Sequence, residues 1–207
     1  ALAQTEQIVA ALQSAGGLPA AAITVQNTSP TGGELLDRTF AEIGGKGLFT
    51  DELNAGLRDG SIALAVHSLQ DLPTADTPGL LTAAMPPRGD ARDILIMVSP
   101  DGPTHATLAD LPDGARVGTA SLRRKAQILK ARPDLDIVPL RGNIGTRLGT
   151  LSPGGVAATM LAMAGLKRMG YAGSDWQALA PNIMLPAAGQ GALAMQCRAD
   201  DADWIAR

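Results

Sequence analysis

The sequence has few aromatic residues, one cysteine and two histidines. Phe, Trp and Tyr account for 2% of the 207 residues, so the side chains on which single-stranded nucleic acid stacks are scarce and no nucleic-acid partner is expected. One cysteine excludes an internal disulfide, and His67 and His105 lie far apart with no cysteine nearby, so no metal site is predicted. A reducing cytoplasm is the expected location.

Long apolar runs and a basic leader followed by an apolar segment are also missing. No stretch reaches the roughly 20 apolar residues that a membrane-spanning helix needs, so neither membrane insertion nor export is indicated. With 45% hydrophobic and 18% charged residues, the chain can bury one large core or two smaller ones. A soluble globular protein is expected.

Acidic residues are scarce in one central segment. Between Arg116 and Arg168 there are ten Lys or Arg against two Asp, a charge of +8, whereas the remaining seven basic and eighteen acidic residues give −11. This contrast predicts a region that attracts anions within an acidic protein. The alternative is an ordinary basic surface in contact with solvent.

Short apolar runs alternate with segments of helical periodicity, which predicts α/β architecture with mainly parallel strands. The predicted strands are 22–25, 62–67, 93–98, 115–118, 136–140, 156–162 and 192–197. The predicted helices lie near 48–57, 122–131, 143–151 and 164–169.

Two breaks in the pattern predict two domains. The stretch Pro86–Asp90 marks a crossing between domains, and a return crossing is expected near Leu185–Gly191. Domain 1 would comprise 1–86 and 187–207, and domain 2 would comprise 87–186. Two such lobes, joined by two hinge strands, would leave a cleft between them.

Both ends of the sequence are unusual for an intact protein. The chain opens at Ala1 in a helical pattern that stops at Gly16 and Gly17, and Asp200 and Asp201 resemble the start of another helix. We therefore expect both ends to be cuts in a longer protein.

The strongest chemical signal is a strand-to-helix junction in GTASLRRKAQILK. Ser121 is placed to cap a helix whose first turn contains Arg123, Arg124 and Lys125. Cations there oppose the helix dipole at a cost of ~0.3–1 kcal/mol each. Because free N–H groups and guanidinium forks suit a carboxylate or phosphate, an anion is expected among them.

A second junction, in VPLRGNIGTRLGTL, has the same arrangement. Arg141 lies in the turn, Asn143 is the expected cap, and Arg147 comes early in the helix. Two such junctions predict two or more anions at the carboxyl edge of one sheet. Alternatively, the arginines simply pair with local acids.

Two further motifs supply polar groups. In AVHSLQDLPT a buried strand delivers Ser68, Gln70 and Asp71 to a sheet edge. There Asp71 is expected to face the arginine-rich lobe across the cleft, where it can accept a proton or stabilise a developing cation. Asp71 as a simple turn residue is the alternative. EIGGKGLFTDEL is a glycine-rich loop with Lys46 and Phe49, and it lacks the P-loop pattern.

Together, six motifs resemble porphobilinogen deaminase (hydroxymethylbilane synthase) in their order and approximate spacing: GGKGLFTDEL, AVHSLQDLPT, GTASLRRKAQ, RGNIGTRL, AGLKRMG and PAAGQGALAMQCR. That family has three α/β domains, of which the first two resemble periplasmic binding proteins. The resemblance implies a transferase that condenses four porphobilinogens head to tail with release of ammonia, in tetrapyrrole and haem biosynthesis. It also implies a covalent dipyrromethane cofactor, porphobilinogen as substrate, and a monomer.

The resemblance also implies roles for individual residues. Asp71 would be the catalytic carboxylate, which handles the pyrrole nitrogens and the cationic intermediate left when ammonia departs. The remaining residues would bind the carboxylates of cofactor and substrate or line the same cleft: Arg123, Arg124, Arg141, Arg147, Arg168, Thr119, Ser121, Lys46, Phe49, Ser68, Gln70 and Gln190.

Two departures from the family pattern qualify this assignment. Gln70 stands where the family has a lysine, which predicts weaker retention of a cofactor carboxylate. The family's attachment cysteine lies in a third domain beyond residue 207, so Cys197 is predicted to be a buried structural thiol. The alternatives are an inactive relative or a two-lobe module that binds a polycarboxylate without turnover. A phosphate-ligand enzyme is a more distant third.

Overall fold

A computed structural model describes residues 2–26, 48–171 and 176–206. These residues divide into two compact units: those up to Arg88 together with those from Ala192 onward, and Gly89–Gly191. The described helices are α1 Leu2–Gly16, α2 Leu48–Asp59, α3 Leu122–Ala131, α4 Ile144–Gly149, α5 Met163–Arg168 and α6 Ala202–Ile205. The described strands are β1 Ala65–Ser68, β2 Leu80–Ala84, β3 Asp93–Met97, β4 Thr104–Ala106, β5 Arg116–Gly118, β6 Asp136–Val138, β7 Ala158–Ala162 and β8 Leu193–Arg198.

The first unit is built on an antiparallel sheet in the order β1-β8-β2. Helix α2 carries its apolar residues at helical spacing, and Leu57 packs with Ala65 and Leu80 in a buried cluster. Asp51 in its first turn and Arg58 in its last turn both complement the helix dipole. The sheet thus gains one covered face.

The second unit is a five-stranded sheet in the order β4-β3-β7-β5-β6. Ile94, Leu95 and Ile96 of β3 have no exposed surface. Because successive side chains of a strand point to opposite faces, Leu95 joins one core with Ile128 of α3, whereas Ile94 and Ile96 join another with Leu166 of α5. Helices therefore cover both faces, which confirms the predicted α/β architecture.

The prediction of mainly parallel strands is wrong for the described residues. Only β5–β6 and β5–β7 are parallel, whereas β1–β8, β2–β8, β3–β4 and β3–β7 are antiparallel. A short apolar run shows that a strand is buried, but strand direction depends on partners that are distant in sequence. The α/β class was therefore predictable and the mixed topology was not.

Several predicted strands differ in detail. The strand expected at 22–25 is replaced by a 3-10 helix at Ala20–Ala22 followed by irregular backbone. Its β-branched residues Ile23, Thr24 and Val25 favour a strand, but among the described residues no strand pairs with it. Strands β2 and β4 were not predicted from the sequence; both lie at sheet edges.

The two segments where the chain passes between the units are not strands, contrary to the hinge strands expected from the sequence. They are nevertheless joined, because the backbone N–H of Gly89 donates to the Gly191 carbonyl over 3.1 Å. Gly191 has a φ of +84°, and a Cβ there would lie 2.8 Å from the Gly89 oxygen. Both the conformation and the close approach require glycine.

The predicted caps are present. The Ser121 hydroxyl accepts from the Arg124 N–H over 3.4 Å, and the Asn143 side-chain carbonyl accepts from the Thr146 N–H over 2.8 Å. Asp201 caps α6. Throughout the described ranges, no helix combines the length and the apolar character needed to cross a bilayer.

Candidate functional site

The carboxyl ends of three strands meet at one edge of the second sheet. Strand β5 runs parallel to β6 and β7, so α3, α4 and α5 all begin at this edge. Strand β3 runs the other way and pairs its first residue, Asp93, with Ala162 at the end of β7. The predicted meeting of the two arginine-bearing junctions at one sheet edge is confirmed, and it includes a carboxylate that the sequence did not indicate.

Asp93 holds two of the predicted arginines. Its Oδ2 accepts from Nη1 of Arg123 and its Oδ1 from Nη2 of Arg124, both over 2.7 Å. Asp93 has no exposed surface and Arg124 is 8% exposed. A buried carboxylate is stable only when cations and hydrogen bonds compensate it. The alternative that the arginines pair with an acid therefore holds for Arg123 and Arg124. Their partner, Asp93, lies outside the basic segment Arg116–Arg168.

Gln190 completes this network. Its Nε2 donates to Asp93 Oδ1 over 2.8 Å and to the Ala91 carbonyl over 2.7 Å, and its Oε1 accepts from Arg123 Nη2 over 3.1 Å. Arg123 also donates to the Leu185 carbonyl over 2.6 Å. Within the second unit, Gln190 is thus a buried partner of Asp93 and Arg123, where the resemblance implied a residue lining the cleft.

Positive charge remains at this edge after Asp93 is counted. Arg124 Nε is buried and has no hydrogen-bond partner among the described residues. Half-buried Arg147 donates its Nε–H to the Gly142 carbonyl over 2.8 Å and forms no ion pair with a described acid. Burial, and then the nearby charge of Arg124, lower the pKa of Arg147. Unneutralised, partly desolvated guanidinium groups favour an anionic ligand.

The other predicted residues of this unit surround the same junctions. Half-buried Arg168 in α5 donates to the Gly191 carbonyl over 2.7 Å, and burial lowers its pKa. Arg141 is exposed in the turn after β6. The hydroxyl of buried Thr119 accepts from the Ser121 N–H over 3.2 Å, which fixes the turn into α3.

Asp71 lies in the first unit, directly after β1. It ends the 3-10 helix Leu69–Asp71 and is exposed, as is Gln70. The Ser68 hydroxyl accepts from Gln4 Nε2 over 2.8 Å. The predicted delivery of these side chains to the end of a strand is confirmed, whereas the expectation that Asp71 faces the arginines stays a prediction. Lys46 and the side chain of Phe49 lie outside the described residues.

Cys197 is buried in β8, in agreement with the prediction. Burial, together with the charge of Asp201, raises the pKa of its thiol, and Sγ donates to the Arg198 carbonyl over 3.3 Å. A buried thiol that resists ionisation is a poor nucleophile. Across the part of the chain that is described, no cluster of His, Cys, Asp or Glu could hold a metal ion.

Comparison with known families gives one match along the chain. Residues 1–206 match the family described as "Porphobilinogen deaminase, dipyromethane cofactor binding domain". Porphobilinogen deaminase of Sphingopyxis alaskensis is 46% identical over 207 residues, covering 100% of this chain and 64% of the relative. That of Brevibacillus brevis is 47% identical over 206 residues, covering 100% and 64%. The chain thus spans about three fifths of the length of the curated relatives that it matches.

Similarity to solved structures is weaker. The substrate-binding protein of an amino acid ABC transporter is 15% identical with a TM-score of 0.43, covering 98% of this chain and 76% of that chain. The methionine-binding protein MetQ is 15% identical with a TM-score of 0.42, covering 74% and 70%.

Proposed function

The chain belongs to the porphobilinogen deaminase family, and from this premise we propose that the whole protein is a hydroxymethylbilane synthase. This transferase joins four porphobilinogens head to tail and releases ammonia at each addition. The described residues contribute two parts: arginines that hold carboxylates, and Asp71, which assists the chemistry. A cytoplasmic monomer that binds no nucleic acid belongs to the same proposal.

One observation supports the choice of ligand above the others. Arg124 is buried with its Nε unpartnered among the described residues, beside an Arg147 that has no carboxylate partner there. Asp93 balances one of the charges of Arg123, Arg124 and Arg147, so the cluster keeps a net charge of +2. Porphobilinogen carries two carboxylates, and planar guanidinium groups bind carboxylates through paired hydrogen bonds.

The same cations fit the dipyrromethane for which the matched family domain is named. Its acidic side chains require several cations: Arg124, Arg141 and Arg147 lie at the two junctions, and Arg168 lies in α5, which follows β7 at the same sheet edge. When bound, dipyrromethane supplies the primer to which substrate is added. We propose covalent attachment through a cysteine other than Cys197, because that thiol is buried and its pKa is raised.

Asp71 is proposed as the catalytic carboxylate. Its exposure at the end of β1 allows contact with a ligand. A carboxylate can accept a hydrogen bond from a pyrrole N–H and stabilise the cation that remains when ammonia leaves. In this role the Asp71 carboxylate contacts the reacting pyrrole while the arginines hold the acidic side chains.

A second candidate is a module that binds polycarboxylates without turnover. Gln70 favours it, because an exposed neutral amide replaces the lysine expected beside the catalytic carboxylate. Loss of one cation from a carboxylate site reduces retention of the primer more directly than it affects the fold.

Two measurements on the full-length protein separate the candidates. Intact mass spectrometry should show an excess over the polypeptide equal to two linked pyrroles, and purified protein should consume porphobilinogen with release of ammonia. Binding of porphobilinogen without ammonia release, at the bare polypeptide mass, would favour the binding module. Absence of both binding and turnover would refute both candidates.

A further inference from the structure

We propose that Asp93 and Gln190 are positioning residues of the anion site, which hold Arg123 and Arg124 in fixed orientations for a carboxylate ligand. The identity of that ligand rests on the proposed function. Neither Asp93 nor Gln190 is proposed to contact the ligand, because their side-chain polar atoms are already hydrogen-bonded to the arginines, to each other and to the backbone.

The Asp93 carboxylate divides its two oxygens between the arginines. Oδ2 accepts from Arg123, whereas Oδ1 accepts from Arg124 and from the amide of Gln190. The Met160 carbonyl adds a second bond to Arg124 over 3.0 Å. Arginine has a long side chain with many rotamers, and each such bond removes orientations that the ligand would otherwise have to restrict. One carboxylate therefore orders two guanidinium groups in advance.

Gln190 fixes the other side of this arrangement. Its Nε2 faces two acceptors, Asp93 Oδ1 and the Ala91 carbonyl, while its Oε1 faces Nη2 of Arg123 and the Ala187 N–H at 3.4 Å. Rotating the amide by half a turn would oppose donor to donor and acceptor to acceptor in these contacts. Gln190 thus has one favourable orientation, which it transmits to Arg123.

The network leaves binding capacity for a ligand. The donors around Asp93 come from Arg123 Nη1, Arg124 Nη2 and Gln190 Nε2, whereas Arg124 Nε keeps no partner among the described residues. Arg124 is therefore held in a fixed orientation by the network and still keeps a donor that the network does not use. A merely structural ion pair would need no unsatisfied buried donor beside a second cation.

The test uses the full-length protein and citrate, a tricarboxylate, as the probe in calorimetric titrations at constant ionic strength. Asp93→Asn should raise the Kd of citrate by about tenfold or more, since misoriented guanidinium groups lose charge-assisted hydrogen bonds. The KM for porphobilinogen should rise in parallel, with a smaller change in kcat. Asp134→Asn is the matched control, because it removes a carboxylate that pairs at 2.7 Å with Arg132, outside the cluster. Its Kd should stay within about twofold of wild type.

An unchanged or lower Kd in folded Asp93→Asn protein would overturn the inference, because Asp93 would then act only on stability or net charge. If that variant does not fold, Gln190→Met replaces it: the ion pairs remain, the amide is lost, and a Kd raised about threefold or more is expected. An unchanged Kd there overturns the inference equally.

The titrations also separate this inference from the proposed function. Weaker citrate binding in the variants, with no consumption of porphobilinogen by wild type, supports positioning and refutes the synthase. If wild type turns over porphobilinogen and all variants bind citrate with equal affinity, the synthase is supported and the positioning role is refuted. Wild-type protein that shows the bare polypeptide mass and binds no citrate overturns the inference. Where the two-pyrrole mass is present, an unchanged KM for porphobilinogen in both variants does so.

Discussion

The two units present the charges of the proposed site in opposite ways. In the first, Asp71 is exposed in a 3-10 helix at the end of an antiparallel strand. In the second, Arg123 and Arg124 are anchored to a carboxylate with no exposed surface, at the edge of a mixed sheet. An exposed carboxylate can be changed without disturbing the core, whereas changing a buried cation alters stability as well as the proposed binding. Substitutions in the two units should therefore produce different combinations of effects.

The largest effect is expected at Asp71. Asp71→Asn should lower turnover of porphobilinogen by about 10²-fold or more, because the neutral amide cannot stabilise a developing cation or accept a proton. The melting temperature should change little, since Asp71 is exposed. Steady-state assays and thermal unfolding check both parts.

Asp76→Asn is the matched control, an exposed acid in the same unit that should leave turnover unchanged. If Asp71→Asn retained wild-type turnover, Asp71 would lose its proposed role and the contrast between the units would disappear.

In the second unit, Arg124→Met should lower the free energy of unfolding by about 3 kcal/mol, because removing one partner leaves buried charge poorly compensated. Arg147→Met should cost less than about 1 kcal/mol, since Arg147 forms no ion pair with a described acid. Urea denaturation measures both. Equal stability losses would show that the two arginines do not differ in this way.

Acid should weaken the first unit before the second. Burial lowers the pKa of His67 below its usual 6.5, so below that pH the unfolded chain binds a proton that the folded chain does not. The free energy of unfolding should therefore decrease as the pH is lowered, by at most about 1.4 kcal/mol per pH unit for one proton. In the second unit, the hydrogen bond from Arg92 lowers the pKa of Asp90 to about 2. The stability that Asp90 contributes is present above its usual 3.8 and is lost only as the pH falls through about 2.

The two tryptophans report the units separately, since Trp204 lies in the first and Trp176 in the second. Each single-tryptophan variant is unfolded with urea at pH 7 and at pH 5. The free energy of unfolding reported by Trp204 should be lower at pH 5, whereas the value reported by Trp176 should not change. His67→Gln should remove that loss. The same pH dependence in both signals would contradict the assignment to His67.

The smallest effect is expected at Gln70. Gln70→Lys should increase the fraction of molecules that carry the two-pyrrole mass by a few-fold at most, because one exposed charge contributes about 0.2–1 kcal/mol. Gln177→Lys makes the same change at an exposed position of the second unit and should have no effect. Equal mass spectra for wild type and both variants would show that the residue before Asp71 does not control retention.

Much of the site could be predicted because its signals are local. Ser121 and Asn143 lie three residues before the N–H groups that they accept from, so each cap is visible in a short stretch of sequence. The meeting of the two junctions is not a local feature, because it depends on β5 and β6 pairing in parallel. The roles of Arg123 and Gln190 were only partly predicted, because their mutual partner, Asp93, precedes Arg123 by 30 residues and Gln190 by 97.

The sequence by itself determined the α/β class, the helix starts, the burial of Cys197 and the concentration of cations between Arg116 and Arg168, since each depends on composition or on neighbours within a few residues. Tertiary structure alone decided the direction of the strands, the choice of Asp93 as partner, and which guanidinium groups keep unneutralised charge. These features depend on which distant segments meet at one sheet edge, and burial there makes an unpaired charge costly.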